Sequence, residues 1–214
     1  MTEATSLLRE PWERLERQRQ AGKFGIWVFL ASETLFFGAL MLTYAVCRVE
    51  HPDAFAAAGR ETNIWFGTIN TAILLTSSLT MAVASQAAAE NGRSRRLILV
   101  CLGATAALGL AFMIVKGFEY KEDIEKHLLP GAGFALRQPA AQLFYGLYWL
   151  VTGVHAIHLT IGIVLVVRLV LLGAARQIRL RGSPELEVTA LYWHLVDVIW
   201  IFLYPLIYLP GRAS

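Results

Sequence analysis

Five ionisable side chains stand inside long apolar stretches of the sequence, where such groups are rare. They are Glu33 in the first stretch, His155 and His158 in the fourth, and His194 and Asp197 in the fifth. The two pairs have i,i+3 spacing, which puts both members of a pair on one face of a helix. Imidazoles and carboxylates ligate transition metals, relay protons and cross-link helices by hydrogen bonds. These residues are therefore the candidates for chemistry.

The spacing leaves three uses open. A metal or haem site would draw on the two histidine-bearing helices. A helical di-metal centre, however, uses paired Glu-x-x-His elements, whereas this sequence has His-x-x-His, His-x-x-Asp and a single Glu. A proton pathway would use buried Glu, His and Asp as relay groups. A structural role would use them as hydrogen-bonded cross-links between helices. The pattern favours the structural and proton-related uses over the metal site.

The elements that must position these residues are five apolar segments. Of the 214 residues, 56% are apolar and only 16% are charged, against about 25% charged in an ordinary soluble domain. About 20 apolar residues cross a hydrocarbon core of ~30 Å as a helix. The sequence therefore predicts an all-α integral membrane five-helix bundle over residues 23–210, preceded by a helical N-terminal segment over residues 1–22. The predicted spans are Phe24–Val46, Ile64–Ala88, Leu97–Val115, Ala140–Leu172 and Val188–Leu209.

The distribution of basic residues predicts the orientation of the bundle. With a cytoplasmic N-terminus, the inner segments carry 12 Lys and Arg and the outer segments carry 7. Cytoplasmic loops are enriched in Lys and Arg. We therefore expect the N-terminus in the cytoplasm and the C-terminus in the periplasm.

Depth along the helices predicts which polar groups share a layer. Counted from the nearest membrane face at 1.5 Å per residue, Glu33, His158 and Asp197 all lie roughly 13–15 Å deep. His155 then lies above this layer and His194 below it. Asn70, in the second span, adds a neutral hydrogen-bonding group. A single interior cluster would satisfy these groups better than separate lipid-facing positions.

Other features exclude further classes of function. The net charge of +3 is spread between the apolar segments rather than gathered in one patch, so a nucleic-acid partner is not expected. Cys47 and Cys101 fall near opposite membrane faces, so no internal disulfide is expected. The outer loop Lys116–Pro139 is charged in its first half. We interpret that half as a solvated helix end with a turn, rather than as a ligand site.

Five motifs in the sequence carry a resemblance to a known family. They are Gly25-Ile-Trp-Val-Phe-Leu-Ala-Ser-Glu33-Thr-Leu-Phe-Phe-Gly38, Asn70-Thr71 followed by Leu74-Leu75-Thr76-Ser77-Ser78, Glu119-Tyr120, Thr152-Gly-Val-His155-Ala-Ile-His158, and Tyr192-Trp-His194-Leu-Val-Asp197-Val-Ile-Trp200-Ile-Phe-Leu-Tyr204. These motifs resemble subunit III of the haem–copper terminal oxidases, over roughly residues 22–209. Longer members of that family begin with two further helices, so the chain resembles the five-helix form found in quinol oxidases and several bacterial relatives.

The resemblance implies a non-catalytic accessory subunit in the bacterial cytoplasmic membrane. Its partners would be subunits I and II of an oxidase that reduces oxygen, with the haem and copper in subunit I and none in this chain. The family role is to hold phospholipid in a cleft, support proton uptake into subunit I and protect the complex during turnover. Glu33 would be the buried carboxyl group that reacts with hydrophobic carbodiimides, and Glu119 would join the buried polar network. Arg168 and Arg176 are candidates for holding lipid phosphate.

Two alternatives stay open at this point. The segment Lys116-Gly-Phe-Glu-Tyr, with the charged loop after it, is similar to an offshoot of the family that accompanies nitric oxide reductases. A stand-alone proton-conducting membrane protein is the alternative from another class. Such transporters often show internal repeats and broken helices, and neither feature is evident in the sequence.

Overall fold

The computed structural model describes residues 15–89, 94–136, 138–178, 180, 182–210 and 212. Most of these residues lie in six helices, and no strand occurs among them. In chain order the helices are α1 (Leu15–Glu50), α2 (Pro52–Glu61), α3 (Ile64–Ala89), α4 (Arg95–Glu125), α5 (Pro139–Ala174) and α6 (Pro184–Tyr208).

Five of the helices, all except α2, are long and apolar enough to cross a membrane. This confirms the predicted all-α class with five spans. α2 was not predicted, because a helix of ten residues is too short to give a span signal. Pro52 fits its first turn, where the missing N–H costs nothing, and Asp53 faces the positive end of the helix dipole. Phe55 and Ala58 bury the inner face of α2.

The helix of the third span extends beyond the predicted span. The span was predicted to end at Val115, whereas α4 continues to Glu125 and is followed by a turn, in agreement with the interpretation of the first half of Lys116–Pro139 as a helix end with a turn. Its last turns carry two i,i+4 ion pairs, Lys121–Glu125 at 3.8 Å and Lys126–Glu122 at 2.6 Å, which support a helix that leaves the apolar layer. The assignment of Lys116 to a loop was wrong, because this residue lies inside α4 and is only 2% exposed.

Small residues let the helices of the core approach closely. At Gly109 of α4, an added Cβ would lie 2.8 Å from the Trp193 ring and 3.0 Å from Ile163. Gly109 thus allows α4 to touch both α5 and α6, as small residues do in membrane bundles. Trp193 itself is fully buried, and its indole N–H donates to Ser77 Oγ of α3 at 3.2 Å.

α1 packs differently, because it is the least buried of the spanning helices. Phe24, Leu35 and Val49 are each more than 70% exposed. Its contacts are with α2, α5 and α6. Near one end, the Tyr44 hydroxyl donates to the Leu206 carbonyl of α6 at 2.6 Å. That carbonyl has no helical donor, because the residue four positions on is Pro210.

The N-terminal segment meets the first span without an interruption. Residues 15–22 are helical and continue directly into the apolar part of α1. The rest of the segment predicted over residues 1–22 lies outside the described residues.

Candidate functional site

Glu33 and His158 form a contact between α1 and α5. Glu33 Oε2 lies 3.0 Å from His158 Nε2, and both side chains are about four-fifths buried. His158 Nδ1 lies 2.9 Å from the Val154 carbonyl, which only accepts hydrogen bonds, so Nδ1 carries a hydrogen. The Glu33–His158 contact then needs one further proton, held on either the carboxyl group or the imidazole. The geometry makes this pair a site that holds one proton.

A second polar group joins α3 to α6. Ser78 Oγ lies 2.9 Å from His194 Nδ1, while Asp197 Oδ2 lies 4.0 Å from the same nitrogen, too far for a hydrogen bond. His194 reaches the surface of the bundle with about a third of its side chain exposed, whereas Asp197 is buried behind it. Neither oxygen of Asp197 has a hydrogen-bond partner among the described residues.

The remaining polar residues of the central layer do not join these groups. His155 is 1% exposed and packs between Phe112 and Trp200, with ring centroids at 5.8 and 5.1 Å. Asn70 is fully buried. Within the described part of the chain, neither residue has a hydrogen-bond partner for its side chain. The structure therefore gives two separate contacts and two isolated buried groups in place of one interior cluster.

Glu119 belongs to a different cluster near the end of α4, which we call the Lys116 cluster: Lys116, Glu119 and Asp123 of α4, Tyr148 of α5 and Tyr208 of α6. All five side chains are at least 96% buried. Lys116 Nζ donates to Glu119 Oε2 at 3.0 Å, to Tyr148 Oη at 3.1 Å and to Tyr208 Oη at 2.8 Å. All three ammonium hydrogens are thus used, and the nitrogen also faces the rings of Tyr120 and Tyr148 at 4.9 and 4.7 Å.

Four members of this cluster were missed by sequence reasoning. Lys116, Glu119 and Asp123 are spaced i, i+3 and i+7, which is one face of a helix, and this was the available signal. It was overlooked because a lysine at the end of an apolar run is typical of a loop. Nothing local in the sequence marks Tyr148 and Tyr208 as its partners.

The two arginines predicted to hold lipid phosphate lie at one end of α5. Arg168 is exposed on the helix surface, and Arg176 is exposed just after the helix ends. Arg176 has a left-handed φ of 57° and ends α5. The Gln177 N–H donates back to the Leu172 carbonyl at 3.0 Å, and Arg95 of α4 donates to the Gly173 and Ala174 carbonyls. The side chains of Arg168 and Arg176 are both exposed at this end of α5.

The apolar helices and the polar contacts between them define the class of this protein. Across the described residues, no three His, Cys, Asp or Glu side chains converge as metal ligands. Five apolar helices with polar contacts between them define a multi-pass helical membrane protein. The chain belongs to the cytochrome c oxidase subunit III family, whose family model matches residues 16–212.

Individual relatives cover nearly the whole chain. Cytochrome c oxidase subunit 3 of Bacillus subtilis is 32% identical over 192 residues, which is 89% of this chain and 86% of that protein. The protein of the same name from Alkalihalophilus pseudofirmus is 32% identical over 201 residues, or 92% and 91% of the two chains. Cytochrome bo(3) ubiquinol oxidase subunit 3 of Pseudomonas aeruginosa is 28% identical over 189 residues, or 88% and 84%.

Proposed function

We propose that this chain is the non-catalytic subunit III of a bacterial haem–copper terminal oxidase. The observation that carries the proposal is the family match over residues 16–212, which includes all five spans. In this proposal the chain packs on subunit I, in a complex that also contains subunit II and sits in the cytoplasmic membrane. Its contribution to oxygen reduction is to shield subunit I, hold lipid against it and support its proton uptake.

The surface of the bundle supports packing against a partner and lipid. α1 is exposed along most of its length, so it presents a broad apolar face. We place phospholipid beside the bundle, with phosphate held by charge-assisted hydrogen bonds from Arg168 and Arg176. Both arginines are exposed at the same end of α5. Bound phospholipid is thus the proposed ligand of this chain.

The proton-related part of the proposal is supported by Glu33 and His158. The pair holds one proton between Glu33 Oε2 and His158 Nε2, and it is partly exposed on the outside of the bundle. A group that holds a proton beside subunit I can exchange it with a proton pathway there. The pair also cross-links α1 to α5, and interhelical hydrogen bonds of this kind contribute about 0.6 kcal/mol on average.

We further propose that haem and copper reside in subunit I and that this chain carries neither. The three histidines inside the apolar helices support this, because each of them has a different use in the fold. His158 uses both nitrogens in contacts with Glu33 and Val154, His155 packs between aromatic rings, and His194 faces Ser78.

Purification through a tag on this chain tests the identity of its complex. We expect it to bring down haem-bearing partners whose preparation reduces oxygen with cytochrome c or quinol as electron donor. A preparation that reduces nitric oxide and lacks oxygen-reducing activity would contradict the proposed complex. Recovery of the chain alone from solubilised membranes, without haem, would contradict an accessory role. A tagged, unrelated multi-pass protein from the same membranes is the control for carry-over.

The proposed orientation has its own test. The excess of Lys and Arg in alternate segments predicts a cytoplasmic N-terminus and, with five spans, a periplasmic C-terminus. A reporter that is active only in the periplasm should be active when fused after Ser214, and a cytoplasmic reporter should be inactive there. Matched fusions in the loop between α3 and α4 should give the reverse result. A cytoplasmic signal from the C-terminal fusion would overturn the orientation.

A further inference from the structure

The hydroxyl group of Tyr148 contacts two carboxyl groups but has only one hydrogen to donate. Its oxygen lies 3.1 Å from Lys116 Nζ, 3.0 Å from Glu119 Oε1 and 2.7 Å from Asp123 Oδ2. The ammonium donates to the phenol oxygen, and the phenol has one hydrogen to give to one carboxylate. The other carboxylate oxygen would then face the phenol oxygen as one acceptor against another. A proton on that carboxyl group turns this contact into a hydrogen bond.

The charges of the cluster also indicate that it holds one added proton. Lys116 is the only cation among five buried side chains, and Glu119 and Asp123 are both carboxylates. An uncompensated buried charge is strongly unfavourable, so two ionised carboxylates beside one ammonium would leave the interior with a net negative charge. One added proton makes the cluster neutral.

Among the described residues, Lys121, Lys126 and Arg212 make contacts with groups other than Glu119 and Asp123. The neighbouring cations of α4 are engaged with Glu125 and Glu122 at its exposed end. Arg212 donates to the carbonyls of Arg60, Thr62 and Tyr208, which end nearby helices. The other titratable groups around the cluster are Glu61 of α2, Tyr120 of α4, Tyr145 and His155 of α5, and Lys121, Glu122, Glu125 and Lys126 of α4.

The hydroxyl of Tyr145 is an independent sign that this region binds something besides protein. It is fully buried and has no hydrogen-bond partner among the described residues. Its ring packs 5.7 Å from that of Tyr148, and its hydroxyl lies within electrostatic range of Asp123 and Glu61. Buried polar groups without protein partners are commonly satisfied by water.

We propose that the Lys116 cluster is a proton-binding site in which Glu119 and Asp123 share a single proton through the hydroxyl of Tyr148. In the better-satisfied arrangement, Asp123 holds the proton and donates to Tyr148. Tyr148 then donates to Glu119, which also accepts from Lys116 and Tyr208. In the other arrangement, Glu119 holds the proton and donates a hydrogen bond to Tyr148, and Tyr148 donates a hydrogen bond to Asp123. Each exchange moves two protons along two hydrogen bonds and changes no net charge.

This site is separate from Glu33 and His158, and it does not rest on the proposed function. It lies near the end of α4 opposite Arg95, and none of its five residues takes part in the Glu33–His158 contact. The test below reads the side chains of this chain directly. The result of this test therefore does not depend on which complex contains the chain.

Infrared difference spectroscopy on the full chain, purified with its partners, tests the shared proton. Asp123→Asn and Glu119→Gln each replace a carboxyl group by an amide of the same size. If the proton is shared, either substitution removes the carbonyl band of one protonated carboxyl group. The number of ionised carboxylates stays unchanged, because one carboxylate remains to pair with Lys116. Tyr148→Phe should shift the protonated band to higher frequency, since its hydrogen-bond acceptor is gone.

The matched control is Glu125→Gln, the same substitution at an exposed carboxylate of the same helix. It should remove the signal of one ionised carboxylate and leave the protonated band in place. The proposal is overturned if Asp123→Asn and Glu119→Gln behave like this control. If either buried variant fails to assemble, Tyr148→Phe decides the question, and an unshifted band would overturn the proposal.

Discussion

Oxygen reduction should begin at its normal rate in a complex depleted of this chain and should then decline over successive turnovers. In the proposed function the redox centres lie in subunit I, so initial electron transfer does not need this chain. Its contributions are lipid, shielding of apolar surface and protonatable groups. These contributions matter most during continuous turnover, because each turnover must be matched by proton uptake. The expected result is a normal initial slope with a shortened lifetime of activity.

Oxygen-consumption traces of the intact, Glu33→Gln and depleted complexes make the comparison. Glu33→Gln removes one titratable group and keeps the helix, so its decline should be milder than that of the depleted complex. The matched control is Glu50→Gln at the exposed end of the same helix, which should follow the intact trace. Immediate and complete loss of activity on depletion, with haems intact, would show that the chain is needed for the chemistry itself.

Lys116→Met should destabilise the bundle by about 3–5 kcal/mol, the usual cost of removing one partner from a buried ionic group. The substitution keeps the length of the side chain and removes the ammonium. Glu119 then loses its charged donor, and Tyr148 and Tyr208 lose a hydrogen-bond donor each. The free energy of unfolding in mixed micelles, from titration with a denaturing detergent, measures the loss.

Lys121→Met is the matched control for this substitution. Lys121 lies on the same helix, is 72% exposed and, among the described residues, makes a long ion pair with Glu125 at 3.8 Å. Its replacement should change stability by no more than about 0.5 kcal/mol, as expected for an exposed site. Equal effects of the two substitutions would mean that the Lys116 cluster does not hold α4, α5 and α6 together.

The spans could be predicted because each depends on local composition. An apolar run of sufficient length is stable across the bilayer as a helix whatever its neighbours do. The buried face at the end of α4 could not be predicted in this way, because the burial of Lys116 depends on tyrosines far along the chain. A lysine and two carboxylates after an apolar run look solvated until Tyr148 and Tyr208 are known to cover them.

The polar network shows a second limit of sequence reasoning. Counting residues along a helix gives the depth of each residue in the membrane. This count placed Glu33 and His158 at the same depth, and in the structure the two side chains are in contact. The direction in which a side chain points around the helix depends on packing. The same count placed Asp197 at that depth, yet its side chain lies beside Ser78 and His194 rather than in the Glu33–His158 contact. Depth alone therefore merged groups that the packing of α3 and α6 keeps apart.

The sparse packing of α1 has a consequence for how the protein is made. Among the five described spans, α1 is synthesised first, yet its contacts are with α2, α5 and α6. The hydrogen bond from Tyr44 to Leu206 joins residues 162 positions apart. During translation, α1 therefore stays in the bilayer beside lipid until α5 and α6 have been inserted. The earliest of these five spans to enter the membrane is the last to reach its packed position, and the Glu33–His158 pair forms only after α5 has been inserted.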